Sequence, residues 1–152
     1  MIHKLFKPDD LADAENPDII VIGLQEIVKL NMLSILKGKH KYRVNEWQET
    51  LYKAINTFFT KEQANDRYIF VTAKSMVGLF IGIFVKSKML SRIRDLKTTK
   101  IKTGAGGNTG NKGAVIVRFK LDDSPILFMN CHLMSGKNKG YKRTDEINFI
   151  LD

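Results

Sequence analysis

Five glycines fall within ten positions, Gly104, Gly106, Gly107, Gly110 and Gly113. Each costs about 1 kcal/mol against alanine inside a helix, so this stretch is not helical. A run of this kind bends tightly and lets backbone N–H groups approach a bound group. Lys112 adds a positive charge in the same stretch, and a phosphate is the natural guest for such a combination. The plainer alternative is a hairpin tip. Two familiar phosphate loops are excluded by spacing. Walker A needs Gly-Lys followed by Ser or Thr, whereas Asn111 precedes Lys112 and Gly113 follows it; the dinucleotide fingerprint needs glycines at i, i+2 and i+5, and Gly104 and Gly106 are followed by Thr109.

The flanking sequence reads as strands with helices interposed. Asp18–Leu24 is a continuous Ile/Val-rich run, the pattern of a strand covered on both faces. Tyr68–Ala73 and Gly78–Lys86 read as a hairpin turning at Lys74–Val77, and Met89–Lys102 as a basic connector carrying a strand. Ala114–Leu121 alternates, with Val115, Val117 and Phe119 on one face and Ile116, Arg118 and Lys120 on the other. Asp122–Pro125 turns the chain into a strand over Ile126–Leu133.

Among the helices, Asn45–Phe59 has the clearest period, with Trp47, Leu51 and Ile55 on one stripe and Asn45 as N-cap. Short helical pieces are expected at Pro8–Ala14 and Asn31–Leu36. A closing helix is expected at Lys142–Asp152, burying Ile147, Ile150 and Leu151. The sum is one α/β domain, a layered sandwich of mixed, largely antiparallel sheets flanked by helices.

A hydrophobic content of 43% against 27% charged residues suits a globular domain with a modest core. The apolar run Met76–Val85 is about half of what a membrane-spanning helix needs. A single cysteine, Cys131, rules out an intrachain disulfide and a cysteine-built zinc site, which favours a reducing, cytoplasmic setting. The net charge of +9 is unevenly spread. Seven cations between Lys86 and Lys102 face only Asp95, and a second basic cluster spans Lys37–Arg43. Such blocks are solvated faces or they attract polyanions: nucleic acid, anionic lipid or a polyphosphate.

Three side chains stand out for chemistry. Glu26 follows Gln25 at the C-terminal end of a buried strand, where a carboxylate is a credible ligand for a hard cation such as Mg²⁺. His132 lies two residues after Asn130 in an apolar strand, so both project from one face. Histidine is the side chain best suited to proton traffic near neutral pH, although a histidine in such a strand is more often a satisfied core or ladder residue.

Four segments, in order, resemble the inositol polyphosphate 5-phosphatases of the endonuclease/exonuclease/phosphatase superfamily: Pro17–Glu26, Val77–Leu79, Thr103–Val115 and Phe128–Leu133. The resemblance runs from about Pro17 to the end of the sequence. It implies a DNase-I-like fold and Mg²⁺-assisted hydrolysis of the 5-phosphate of phosphoinositides or inositol polyphosphates, by attack of water with no covalent intermediate. It further implies Glu26 as metal ligand, His132 and Asn130 as catalytic groups, and Asn111, Lys112 and Arg143 as head-group contacts. For Arg143 the match is approximate, since the spacing to the next acidic residue differs. Peripheral contact with anionic membrane at the cytosolic face follows from the substrate class. Nucleic acid is not expected as a partner, because the Gly-Asn-Lys-Gly string belongs to the phosphatase branch and no stacking aromatics accompany the cations.

The family's Trp-Asn-x-Asn, Gly-Asp-Leu-Asn and Ser-Asp-His motifs are not in the 152 residues. The resemblance therefore implies that residues 1–152 are an N-terminal portion of such a catalytic domain and have no turnover by themselves. The alternative is a non-catalytic module that binds anionic head groups or a partner protein.

Overall fold

The computed structural model describes residues 16–27, 39–59, 67–107 and 109–152, with 39–43 described by backbone alone. Two three-stranded antiparallel sheets face each other. The first has β1 (Ile19–Leu24) and β2 (Tyr68–Met76) on either side of β3 (Leu79–Lys86). The second is a meander of β4 (Ile93–Gly104), β5 (Thr109–Leu121) and β6 (Ser124–His132). A short 3₁₀ helix, Ser87–Arg92, carries the chain from one sheet to the other. Helix α1 (Lys39–Phe59) packs on the outer face of the first sheet and α2 (Gly140–Leu151) on that of the second. The result is four layers, in keeping with the layered sandwich expected from the sequence, with every strand pair among the described residues antiparallel.

The central strand explains the layering. Every residue of β3 is buried. Leu79, Ile81, Ile83 and Val85 meet Val115, Val117 and Phe119 of β5 between the sheets, while Phe80 and Phe84 turn to Leu51 and Ile55 of α1. An unbroken apolar run is what a strand with two covered faces requires. Gly82 fits between those rings, because a Cβ there would lie 2.9 Å from Phe80. Beneath α2, Ile150 covers Ala114 and Ile116. Lys86 is the one buried charge among the described residues; its ammonium bonds the Asn16 carbonyl at 2.7 Å and lies 3.5 Å from Asp18.

Several boundaries differ from the sequence reading. Helix α1 begins at Lys39, so Asn45 is an interior residue and not a cap. No helix breaker lies between Lys39 and Asn45, and the turn carries on through them. Strand β2 continues to Met76, which pairs with Leu79, and the turn shrinks to Val77 and Gly78, with Gly78 at φ 75°. Ser124 and Pro125 belong to β6, so only Asp122 and Asp123 turn, with Asp122 at φ 54°. On α2, Ile150 is buried and Ile147 half-buried, but Leu151, expected to be buried with them, is 67% exposed on another side of the helix. The helices expected at Pro8–Ala14 and Asn31–Leu36 lie outside the described residues. Among the described residues no helix is long and apolar enough to cross a membrane.

The glycine-rich stretch is a hairpin. Gly104 pairs with Thr109 and Lys102 with Gly113, and a bulge in β5 lies between those pairs. Gly113 sits at φ 134°, and a Cβ there would come within 1.9 Å of the Ile101 carbonyl oxygen. Only glycine permits that approach.

Candidate active site

The end of β1 is pinned on both sides of Glu26. The Gln25 amide donates to the Cys131 carbonyl of β6 at 2.6 Å, and the Ile27 N–H donates to the Gly78 carbonyl at 3.2 Å, with the Ile27 side chain buried. Glu26, caught between, adopts φ 57° and a side chain 73% exposed. A non-glycine residue in the left-handed region is uncommon, and such strain persists only where neighbours over-determine it. Here the two flanking bonds do so, and they present the carboxylate outward at the seam between the sheets.

His132 ends β6, directly opposite Gly113 of β5. Its Nε2 lies 2.8 Å from the Lys112 ammonium and 3.5 Å from Glu26 Oε1, with only 12% of the side chain exposed. Three charged or ionisable groups, one just after β1 and the others on β5 and β6, thus meet at one end of the sandwich. Burial holds the imidazole pKa below its usual value, and the Lys112 charge pushes it the same way. Glu26, a hydrogen bond at the Asn111 backbone and the more distant Glu146 act in the opposite sense without reversing the shift. A neutral ring nitrogen can accept from the ammonium, consistent with the short Lys112 contact.

Asn130 lies under this group. Its amide nitrogen donates to the carbonyls of Leu24 at 3.0 Å and Phe80 at 2.8 Å, joining β6 to the ends of β1 and β3. The join is close: a Cβ at Gly23 would sit 3.1 Å from Asn130 Cγ. Asn130→Ala is expected to destabilise the fold by about 1–3 kcal/mol, because two carbonyls lose their donor. Urea unfolding of the two proteins measures it; an unchanged midpoint would make the bridge energetically idle.

The other residues singled out in the sequence lie around this centre. Asn111 turns its carbonyl to Thr109 Oγ1 at 2.7 Å, against Gly104 of the hairpin. Arg143, on α2, donates from Nη1 to the Met134 and Gly136 carbonyls and so orders the loop that leaves His132. Glu146 was not picked out by sequence reasoning. Its carboxylate accepts from Thr103 Oγ1 and from the Met134 N–H, both at 2.7 Å, tying α2 to the glycine hairpin and to the exit of β6. The available signal was its position four residues before buried Ile150, on the inward side of the helix.

No cluster of three or more His, Cys, Asp or Glu side chains forms a metal cage among the described residues. The donor set suits a different kind of ion. One outward carboxylate beside a lysine and a histidine matches a small hard cation that keeps much of its water and shares phosphate oxygens with its substrate. Glu26 is the residue that fits it.

Known proteins resemble this chain in sequence and fold. The endonuclease/exonuclease/phosphatase family 2 matches across residues 1–152. A Schizosaccharomyces pombe protein named as an inositol polyphosphate 5-phosphatase is 37% identical over 95% of this chain and 13% of its own length. Human synaptojanin-2 is 33% identical over 93% of this chain and 9% of its own. The crystal structure of the inositol polyphosphate 5-phosphatase domain of SPsynaptojanin, in complex with inositol (1,4)-bisphosphate and calcium, superposes with a TM-score of 0.72 at 28% identity. That match covers 89% of this chain and 37% of the other. The chain thus spans a minor part of the relatives it matches. With family, fold and relatives in agreement, the chain belongs to endonuclease/exonuclease/phosphatase family 2, where the relatives it resembles are inositol polyphosphate 5-phosphatases.

Proposed function

We propose that this chain supplies the metal-holding and phosphate-facing part of a domain that hydrolyses the 5-phosphate of phosphoinositides or inositol polyphosphates with Mg²⁺. The observation that carries the reading is the meeting of Glu26, Lys112 and His132 at one end of the sandwich. Glu26 would hold the ion. When bound, Mg²⁺ would polarise the phosphate and neutralise charge on the leaving oxygen. His132, largely enclosed and with its pKa held low by burial and by Lys112, offers a nitrogen to the transferred phosphoryl group, and Asn130 beneath fixes the strand that carries it. Lys112 is a point charge for the anionic head group. Asn111 lies beside it on the hairpin, and Arg143 keeps donors on Nε and Nη2 for the same anion. The relatives named above support the substrate class, and a setting at the cytosolic face of membranes follows from it. Among the described residues the site holds one candidate metal carboxylate and no assigned base for the attacking water, so turnover is expected only where the family's remaining motifs complete the domain. Groups of one catalytic unit do not act in proportion to their number.

The test is phosphate release by the full-length protein from a 5-phosphorylated inositol and from the corresponding lipid, with and without Mg²⁺. Lys112→Ala should raise KM about tenfold, equivalent to ~1.4 kcal/mol, with little change in thermal stability. Head-group binding without any release would instead assign the domain a binding role. Unchanged KM would leave the glycine hairpin a purely structural turn.

A further inference from the structure

We propose that the outer face of the second sheet, beyond the cover of α2, is a separate docking surface for an anionic lipid bilayer. Helix α2 covers the half of this face nearest the site, where Ile150 packs on Ala114 and Ile116. The other half is basic. Lys97 of β4 stands directly opposite Arg118 of β5, and Arg94 directly opposite Lys120. Like charges paired across two strands oppose sheet formation, so two such pairs, one on either side of a register shift between Arg94 and Lys97, are a feature that folding alone does not favour.

The acids nearby compensate only in part. Asp95 pairs with Lys120 at 2.8 Å and Asp123 with Arg94 at 3.5 Å, whereas no described carboxylate lies within ion-pair distance of Lys97 or Arg118. Leu127 of β6, opposite Arg118, is 55% exposed beside them. Cations around an exposed aliphatic side chain on an extended sheet match an anionic interface, where headgroups meet the charges and the leucine reaches the acyl boundary. No aromatic side chain of these three strands lies exposed beside the cations to stack on bases, which disfavours single-stranded nucleic acid. The patch is also distinct from the site: Arg118 lies six positions along β5 from Lys112, roughly 20 Å of strand. The choice of a membrane as partner rests on the phosphoinositide reading above, but the surface itself does not use the site.

Vesicles of phosphatidylcholine with phosphatidylserine, free of any phosphoinositide, separate the two. The full-length protein should co-sediment with them, less so as salt is raised, and should ignore vesicles of phosphatidylcholine alone. The double substitution Lys97→Gln/Arg118→Gln should weaken binding about 25-fold, near fivefold for each charge removed. It should leave hydrolysis of a soluble inositol phosphate unchanged and the melting temperature equal or higher. If the double variant fails to fold, Lys97→Gln alone on the edge strand should still give the fivefold loss. Equal vesicle binding by wild type and variants overturns the proposal. So does binding of wild type to duplex DNA or polyglutamate but not to vesicles. A protein that binds vesicles through these residues yet hydrolyses nothing would overturn the catalytic reading and leave this one standing.

Discussion

Glu26→Gln in the full-length protein is expected to lower kcat by about 10²–10³-fold at limiting Mg²⁺, the range that follows loss of one preorganised group that stabilises transition-state charge. The substitution preserves length and hydrogen-bonding shape but removes the charge a hard cation requires. It should not disturb the backbone, because the left-handed conformation at this position is imposed by the Gln25 and Ile27 bonds on either side. Head-group binding should survive largely intact, since Lys112 is untouched. Titrating Mg²⁺ against phosphate release for both proteins decides the matter. The same metal requirement and the same rate would remove Glu26 from the site.

Gly113→Ala should be the most damaging single methyl in the described chain. Its Cβ would overlap the Ile101 carbonyl oxygen at 1.9 Å and lie 2.9 Å from that carbonyl carbon, and φ 134° is outside what alanine tolerates. Neither neighbour is a flexible tip that can swing aside. Backbone strain of about 1–3 kcal/mol and overpacking of a similar size combine to roughly 2–6 kcal/mol. At about 2–4 °C per kcal/mol for a domain of this size, the melting temperature should fall by roughly 4–24 °C. Gly106→Ala is the matched control: its φ of 66° is also positive, but nothing lies within 4 Å of its missing Cβ. Comparable losses for both variants in thermal unfolding would show that φ, and not the collision with β4, governs the hairpin. Activity should fall with stability at Gly113, whose neighbour Lys112 and ladder partner His132 belong to the site.

The strands were legible because their burial is periodic or continuous. Val115, Val117 and Phe119 do face the core as their alternation implies. The run expected to be covered on both faces, Asp18–Leu24, packs on both layers but as an edge strand stays only partly buried, and it is β3 that is buried throughout. Turns were less legible. Lys74 and Ser75 look like turn residues, yet the ladder with Ile81 and Phe80 holds them in the strand, a tertiary preference that local chemistry does not report. The glycine stretch showed that it could not be helical without showing which alternative it took; the ladder from Lys102–Gly113 to Gly104–Thr109 makes it a hairpin. The grouping of Glu26, Lys112 and His132 could be named from motif resemblance, but their distances depend on three strands meeting. Glu146 escaped notice because its partners, Thr103 and Met134, are long-range neighbours that no helical period reveals.

The Asn130 amide has a wider consequence. With the Gln25–Cys131 bond beside it, this side chain joins the two sheets at the end where the candidate site lies. Any change at this position therefore alters durability and alignment at once, and the two cannot be selected independently there. A library screened for heat resistance alone could move freely over Arg118 and Lys120, far from this seam. At position 130 it would meet a trade-off: each replacement that freed the site's geometry would also loosen the join between the layers.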